Sequence, residues 1–283
     1  MVAVMLLVMV GGCRLSGREG PISRSLVTCR QFSQQGLAAA EQGDDEQAQT
    51  LLAQAVEACP VDPEARGYYA DVLWRRGEKE KAVAEAEEAS RLAGEDPLVQ
   101  VRLARMYIDS GQIDRARIVA ERAIDLAPKL SSAWAIRGRV SRASGDAHRA
   151  LADFHQAVNF SPDNQQVLME VAESYRVLNQ PRRALVVLRR LADSYPPGQE
   201  PQDVLHMTGL AHMALGRYED AARNLEAAVR RDRPTPDLLC HLAEVEFRLG
   251  HPAAATNAAR QALSLDERHR PTHELLARLQ SVR

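Results

Sequence analysis

Residues 97–130 read PLVQVRLARMYIDSGQIDRARIVAERAIDLAPKL. Leu103, Met106 and Tyr107 fall at i, i+3 and i+4 and predict one apolar helix face, while Ala116, Ala120, Ala123 and Ile124 predict another beyond Gly111. The stretch therefore reads as two helices with a glycine between them, where a left-handed residue ends the first helix. The same punctuation recurs along the chain at Gly43, Gly77, Gly111, Gly145, Asn179, Gly216 and Gly250, in steps of 34 residues apart from one of 37 before Gly216. An alanine stands five residues after each: Ala48, Ala82, Ala116, Ala150, Ala184, Ala221 and Ala255. Asn179 breaks the glycine series with the residue that best tolerates the same conformation. Pro181 and Pro252 follow two residues after Asn179 and Gly250, where a fixed φ suits the first turn of a second helix.

A 34-residue helix pair with this pattern resembles the tetratricopeptide repeat. Seven units fit, at 29–62, 63–96, 97–130, 131–164, 165–198, 202–235 and 236–269. The resemblance implies an all-α fold, a right-handed α-solenoid of about seven helix pairs. Small residues at Gly36, Ala70, Ala104, Gly138, Ala172, Gly209 and Ala243 are expected where paired helices approach most closely. Phe32, Tyr69, Tyr107, Trp134, Phe154, Tyr175 and Leu225 are expected to fill the seams between units. One pair cannot bury both its faces, so stacking supplies the core and the ends need caps. Residues 270–283 fit as a capping helix, with Leu275, Leu276 and Leu279 inward and Glu274, Arg278 and Gln280 wet.

Composition narrows the function. The chain has 283 residues, a formal charge of −2, and 45% apolar and 26% charged residues, which excludes a disordered chain and a broad basic surface for nucleic acid. Aromatic residues make up only 4%, and helix formers outnumber β-branched residues. No phosphate-binding glycine loop, nucleophile elbow or metal-ligand spacing is present; His269 and His273 are separated by Pro271, which spoils a shared ligand face. The reading is of a non-enzyme with no catalytic residue, no cofactor, no metal and no small-molecule substrate.

The chain opens on MVAVMLLVMV, too short to span a bilayer but the length of a secretory apolar region. Val10-Gly11-Gly12-Cys13 resembles the lipobox of bacterial lipoproteins, in which the cysteine receives a diacylglycerol. The resemblance implies a signal peptide at 1–12, lipidation of Cys13, and a flexible tether at 13–28 carrying Gly17, Gly20 and Pro21. Membrane contact would then be through the lipid only, facing the periplasm. Arg14, rather than an aspartate that retains some lipoproteins at the inner membrane, favours the outer one. The alternative is a soluble cytoplasmic repeat module with a regulatory or self-associating role. Cys29 and Cys59 fall at the same end of the first helix pair and could form a disulfide, or stand as two reduced thiols; Cys240 is left single.

In the family the first helix of each pair lines a concave groove that takes a peptide or a partner's helix. The corresponding positions are Asp71 and Arg75, then Arg102, Arg105, Arg139 and Arg142, then Met169, Glu170, Glu173 and Arg176, then Asp203, His206, Met207 and Met213. A basic stretch followed by an acidic, methionine-rich one would suit a protein or peptide partner of complementary charge. The other reading is that these charges pair with one another. Ser33 and Leu37 stand where the chaperone-tail clamp of some members has its Lys and Asn residues, so that ligand is not expected.

Overall fold

The computed structural model describes residues 21–281, and among these every regular element is a helix. The helices fall into two compact units, the first ending at Gly94 and the second beginning at Glu95. The first holds α1 (Pro21–Glu41), α2 (Asp45–Ala58), α3 (Pro63–Arg75) and α4 (Lys79–Ala93). The second holds α5 (Pro97–Asp109), α6 (Ile113–Leu126), α7 (Ser131–Ala143), α8 (Ala147–Phe160), α9 (Gln165–Val177) and α10 (Pro181–Ala192). It continues with α11 (Gln202–Ala214), α12 (Tyr218–Arg231), α13 (Pro236–Arg248), α14 (Pro252–Leu265) and α15 (Arg270–Ser281). From α3 to α13, each odd-numbered helix starts on the first residue of a 34-residue unit.

Local chemistry sets these boundaries. Asp96 caps α5 by accepting from the Leu98 N–H at 2.8 Å, and Pro97 occupies the first turn, where no amide hydrogen is needed. Asp62 and Pro63 open α3 in the same way. At the junctions, Gly111 has φ 73° and the next amide, Gln112 N–H, reaches back to Tyr107 O at 2.8 Å. Asn179 has φ 53°, the one positive φ among described non-glycine residues, and Gln180 N–H closes onto Tyr175 O at 2.8 Å. The side chain changes while the turn does not.

In three of the helix pairs a glycine lies against a large side chain of its partner helix. A Cβ placed on Gly36 would stand 2.7 Å from Leu52, one on Gly138 2.7 Å from Phe154, and one on Gly209 2.7 Å from Leu225. At the same sixteen-residue spacing Ala70, Ala104 and Ala243 are followed by Ala86, Ala120 and Ala259, and Ala172 by Leu188, all essentially inaccessible. Phe154 and Leu225 thus lie over a glycine of their own pair, rather than only in the seams expected for them; Phe154 also joins a cluster with Val167 and Val171 of the next unit. At the end of the second unit α15 packs on α13 and α14, with Leu275, Leu279 and Thr272 buried.

The expected flexible tether ends earlier than its sequence suggested. Residues 21–28 form the first turns of α1, which begins at Pro21, a residue suited to the opening of a helix. The signal peptide at 1–12, the lipidated Cys13 and the rest of the tether lie outside the described residues. No described helix is long and apolar enough to cross a membrane.

Candidate partner-docking groove

Within the second unit the first helices of successive pairs touch one another, α5 on α7, α9 on α11 and α11 on α13. Among the described residues the second helices make no comparable mutual contact, so the first helices line the inner side. On that side a depression of about 370 Å³ opens between three successive repeats. Arg139 of α7, Gln166, Met169, Glu170 and Glu173 of α9, and Asp203, His206 and Met207 of α11 line it. Most groove positions expected from sequence in these repeats meet here. Arg102 and Arg105 lie on α5, outside this depression, and Met213 packs instead against the cluster around Ala221 and Leu225. Gln166 was not expected; it stands one 37-residue step before Asp203, and that register would have found it.

The charges are arranged differently from a basic stretch followed by an acidic one. Glu170, only 13% exposed at its side chain, accepts from Arg139 Nε at 2.7 Å and from Arg142 Nη1. Glu173 takes both Nε and Nη2 of Arg176, at 2.7 and 2.6 Å. These guanidinium groups are therefore held by α9 carboxylates, and the wall is close to charge-balanced. In the first unit Arg75 is likewise taken by Asp45, at 3.0 Å. Asp203 is exposed and makes no hydrogen bond or ion pair among the described residues. Met169 and Met207 are partly buried against the cluster of Val167, Val171 and Leu188, leaving adaptable thioethers at the groove surface.

His206 Nε2 and His241 Nδ1 lie 3.0 Å apart, joining α11 to α13. One ring donates its N–H to the other's lone pair, which suits two neutral imidazoles. Burial pulls His241 down to about 4, helped by His206, opposed by Asp237, and helped again by Arg176 and His269. Burial also lowers His206, against the pull of Asp203 and Asp237. Beside them His269 bonds Thr272 Oγ1 at 2.7 Å and Asp237 at 3.0 Å. Among the described residues no group of three or more His, Cys, Asp or Glu converges to hold a metal ion.

At the start of the first unit Cys29 and Cys59 are buried free thiols, and Cys240 is a third in the second unit. Cys29 Sγ points to Asp62 Oδ2 at 3.5 Å, and Cys59 Sγ to Ser25 O at 3.5 Å. Burial, then the adjoining Cys59 thiol and the Asp62 carboxylate, push the Cys29 thiol up to about 12.

Stacked helix pairs, whose first helices form a shared inner side within the second unit, define a repeat scaffold for docking protein partners. Family models described as tetratricopeptide repeat match residues 33–97 and 206–277, 99–130, and 166–197, and the chain belongs to the tetratricopeptide-repeat proteins. It is similar in structure to a tetratricopeptide repeat protein from Parabacteroides merdae, with a TM-score of 0.67 at 14% identity over 90% of this chain and 99% of that one. It is similar to Pseudomonas aeruginosa pilF, with a TM-score of 0.56 at 16% identity over 90% and 99% of the two chains. A third likeness is to YrrB, described as having an unusual peptide-binding site, with a TM-score of 0.53 at 16% identity over 67% of this chain and 96% of that one. At these identities the likeness is one of fold. None of the curated proteins compared matches the sequence.

Proposed function

We propose that this chain is a lipid-anchored docking scaffold of a bacterial cell envelope, held by acyl chains on Cys13 and facing the periplasm, that binds a peptide or partner protein in its inner groove. The observation that carries the docking role is the depression shared by α7, α9 and α11, because three repeats contribute to one recess with two methionines and an unpaired Asp203. The anchor is supported by the order Val10-Gly11-Gly12-Cys13 behind a short apolar run. More than one acyl chain is needed for a firm hold, since burial contributes about 0.8 kcal/mol per methylene and a single chain binds only marginally. The outer membrane is favoured by Arg14.

Two experiments test the two halves. Cells fed radioactive fatty acid should label the protein, and Cys13→Ser should abolish the label; label retained by that variant would remove the anchor and favour the soluble reading. For the groove, Asp203→Arg and Met207→Glu should reduce capture of the native partner by crosslinking in intact cells. Capture unaffected by both substitutions would exclude the recess as the docking surface.

A further inference from the structure

A second recess lies away from the groove, between α10 and the turn that joins α11 to α12. One depression of about 450 Å³ is lined by Asn179, Gln180, Pro181, Arg182, Arg183 and Leu215. A neighbouring one of about 260 Å³ is lined by Arg182, Leu185, Val186, Arg189, Leu215 and Arg217. They share Arg182 and Leu215 and so form one trough with four arginines and no carboxylate in its lining. Many arginines of this unit have acidic partners: Arg137 with Asp153, Arg139 with Glu170, Arg176 with Glu173, Arg223 with Asp220, Arg248 with Glu244. Arg182, Arg189 and Arg217 have none among the described residues and are exposed. Arg183 is turned aside to Gln180 Oε1 at 2.9 Å.

The trough also has an apolar strip. Val186 is 70% exposed and sits between Arg182 and Arg189 on the same helix face, with Leu185 and Leu215 beside it. Nearby, His212 is lowered chiefly by burial, against Asp220, with Arg217, Arg223 and Arg189 adding to the lowering. The nearby carboxylate Asp220 is already engaged by Arg223.

We propose that this trough is a docking site for an extended acidic segment of a partner protein, with carboxylates on Arg182, Arg189 and Arg217 and aliphatic side chains against Leu185, Val186 and Leu215. Spacing supports an extended occupant. Seven helical residues separate Arg182 from Arg189, a rise of about 10 Å on one face. A polyproline-II strand presents every third side chain on one side, about 9 Å apart. A segment with an acidic residue at every third position and leucines between matches both the charges and the strip. A recess favours inserted side chains over a flat layer of anionic lipid headgroups. The site does not depend on the groove reading.

The test uses the full chain and a fluorescent peptide with Glu at every third position and Leu between, with its Lys counterpart as control. Anisotropy should show binding of the acidic peptide only, weakening as salt is raised. Arg182→Glu with Arg189→Glu should lower affinity by at least about tenfold, since charge-assisted pairs are lost and repulsion is added. Arg217→Gln, on a separate element, should weaken binding too, and guards against a folding defect in the first variant. Equal binding of the Lys peptide, or unchanged affinity in both variants, would overturn the proposal. So would loss of binding in the groove variant Met207→Glu, whose added negative charge would repel the acidic peptide only if it lay on the inner wall. Arginine-dependent flotation with phosphatidylglycerol vesicles, without peptide binding, would make the trough a membrane contact instead.

Discussion

The ring of Phe154 occupies the space that a side chain on Gly138 would need, with Cε1 2.7 Å from the position of a Cβ there. The ring itself is completely buried, so it has no free direction in which to retreat. Gly138→Ala should therefore destabilise the second unit by about 1–3 kcal/mol through overpacking, despite alanine's better helix propensity. Phe154→Ala alone should cost about 3–5 kcal/mol by leaving a cavity. Gly138→Ala combined with Phe154→Leu should recover part of the loss, because the smaller side chain yields where the ring cannot. Urea midpoints for the single and combined variants measure this coupling, and strictly additive costs would show that the two residues do not compete for space.

Glu170 has a different kind of dependence on its neighbours, being shared by Arg139 and Arg142. Removing either arginine by Arg139→Gln or Arg142→Gln leaves the carboxylate one guanidinium, and each change should cost under about 1 kcal/mol because both arginines are partly solvated. Removing both leaves a largely buried charge alone, so the double variant should lose about 2–3 kcal/mol, more than the sum. A double-mutant cycle on thermal or urea unfolding checks the sign of the coupling. Partner capture supplies a second readout: if Glu170 takes up the arginine charge, Arg139→Gln should alter capture less than Asp203→Arg does.

The repeat was legible from Gly111 and Asn179 because a left-handed turn is demanded by the backbone, and few residues supply it. The facing sizes were half legible. Gly36, Gly138 and Gly209 marked close approach, but only the paired register, sixteen residues on, shows that Leu52, Phe154 and Leu225 fill each gap. For the groove charges the sequence left two readings open, a run of signs along the chain and mutual pairing. Their true pattern follows from side chains meeting across neighbouring first helices, as Glu170 does with two arginines roughly thirty residues away. His206 and His241, one residue out of register, are of the same kind. The start of α1 was hidden because Gly17 and Gly20 gave the whole preceding segment the composition of a linker, whereas Pro21 opens a helix.

Cys29 offers a chemical check on the first helix pair. With its thiol pushed up to about 12 by burial, Cys59 and Asp62, almost none of it is thiolate at neutral pH. Reduced, folded protein should alkylate at Cys29 far more slowly than the same protein in denaturant, with peptide mass mapping as the readout. Rapid native labelling would mean that the end of the pair opens readily. In an oxidising envelope the two thiols of Cys29 and Cys59 can instead pass two electrons and two protons to a disulfide oxidant, forming the bond considered from the sequence. Protein isolated under non-reducing conditions would then be two mass units lighter per chain and refractory at both positions; a full complement of free thiols would exclude it.

The contact of His206 with His241 makes stability at the α11–α13 junction depend on pH. His241 ordinarily titrates at 6.5 and is held near 4 in the fold, chiefly by burial, so the unfolded chain binds a proton that the folded chain refuses between those values. Above about pH 6.5 both states are neutral there and the contribution is complete; as pH falls through the window towards 4 it is progressively lost, to the extent of about 2–3 kcal/mol. His206 shifts in the same direction and adds to the slope, while Asp203 and Asp237 oppose it and Arg176 reinforces it. Carboxylates elsewhere titrate in the lower part of the range, so the informative quantity is a difference between proteins. His241→Gln keeps a hydrogen-bonding side chain without the proton, and its urea midpoint should fall less steeply than the parent's between pH 7 and about pH 4.5. Parallel curves for the two proteins would mean that His241 is as easily protonated in the fold as in the unfolded chain, and that the junction is open to water.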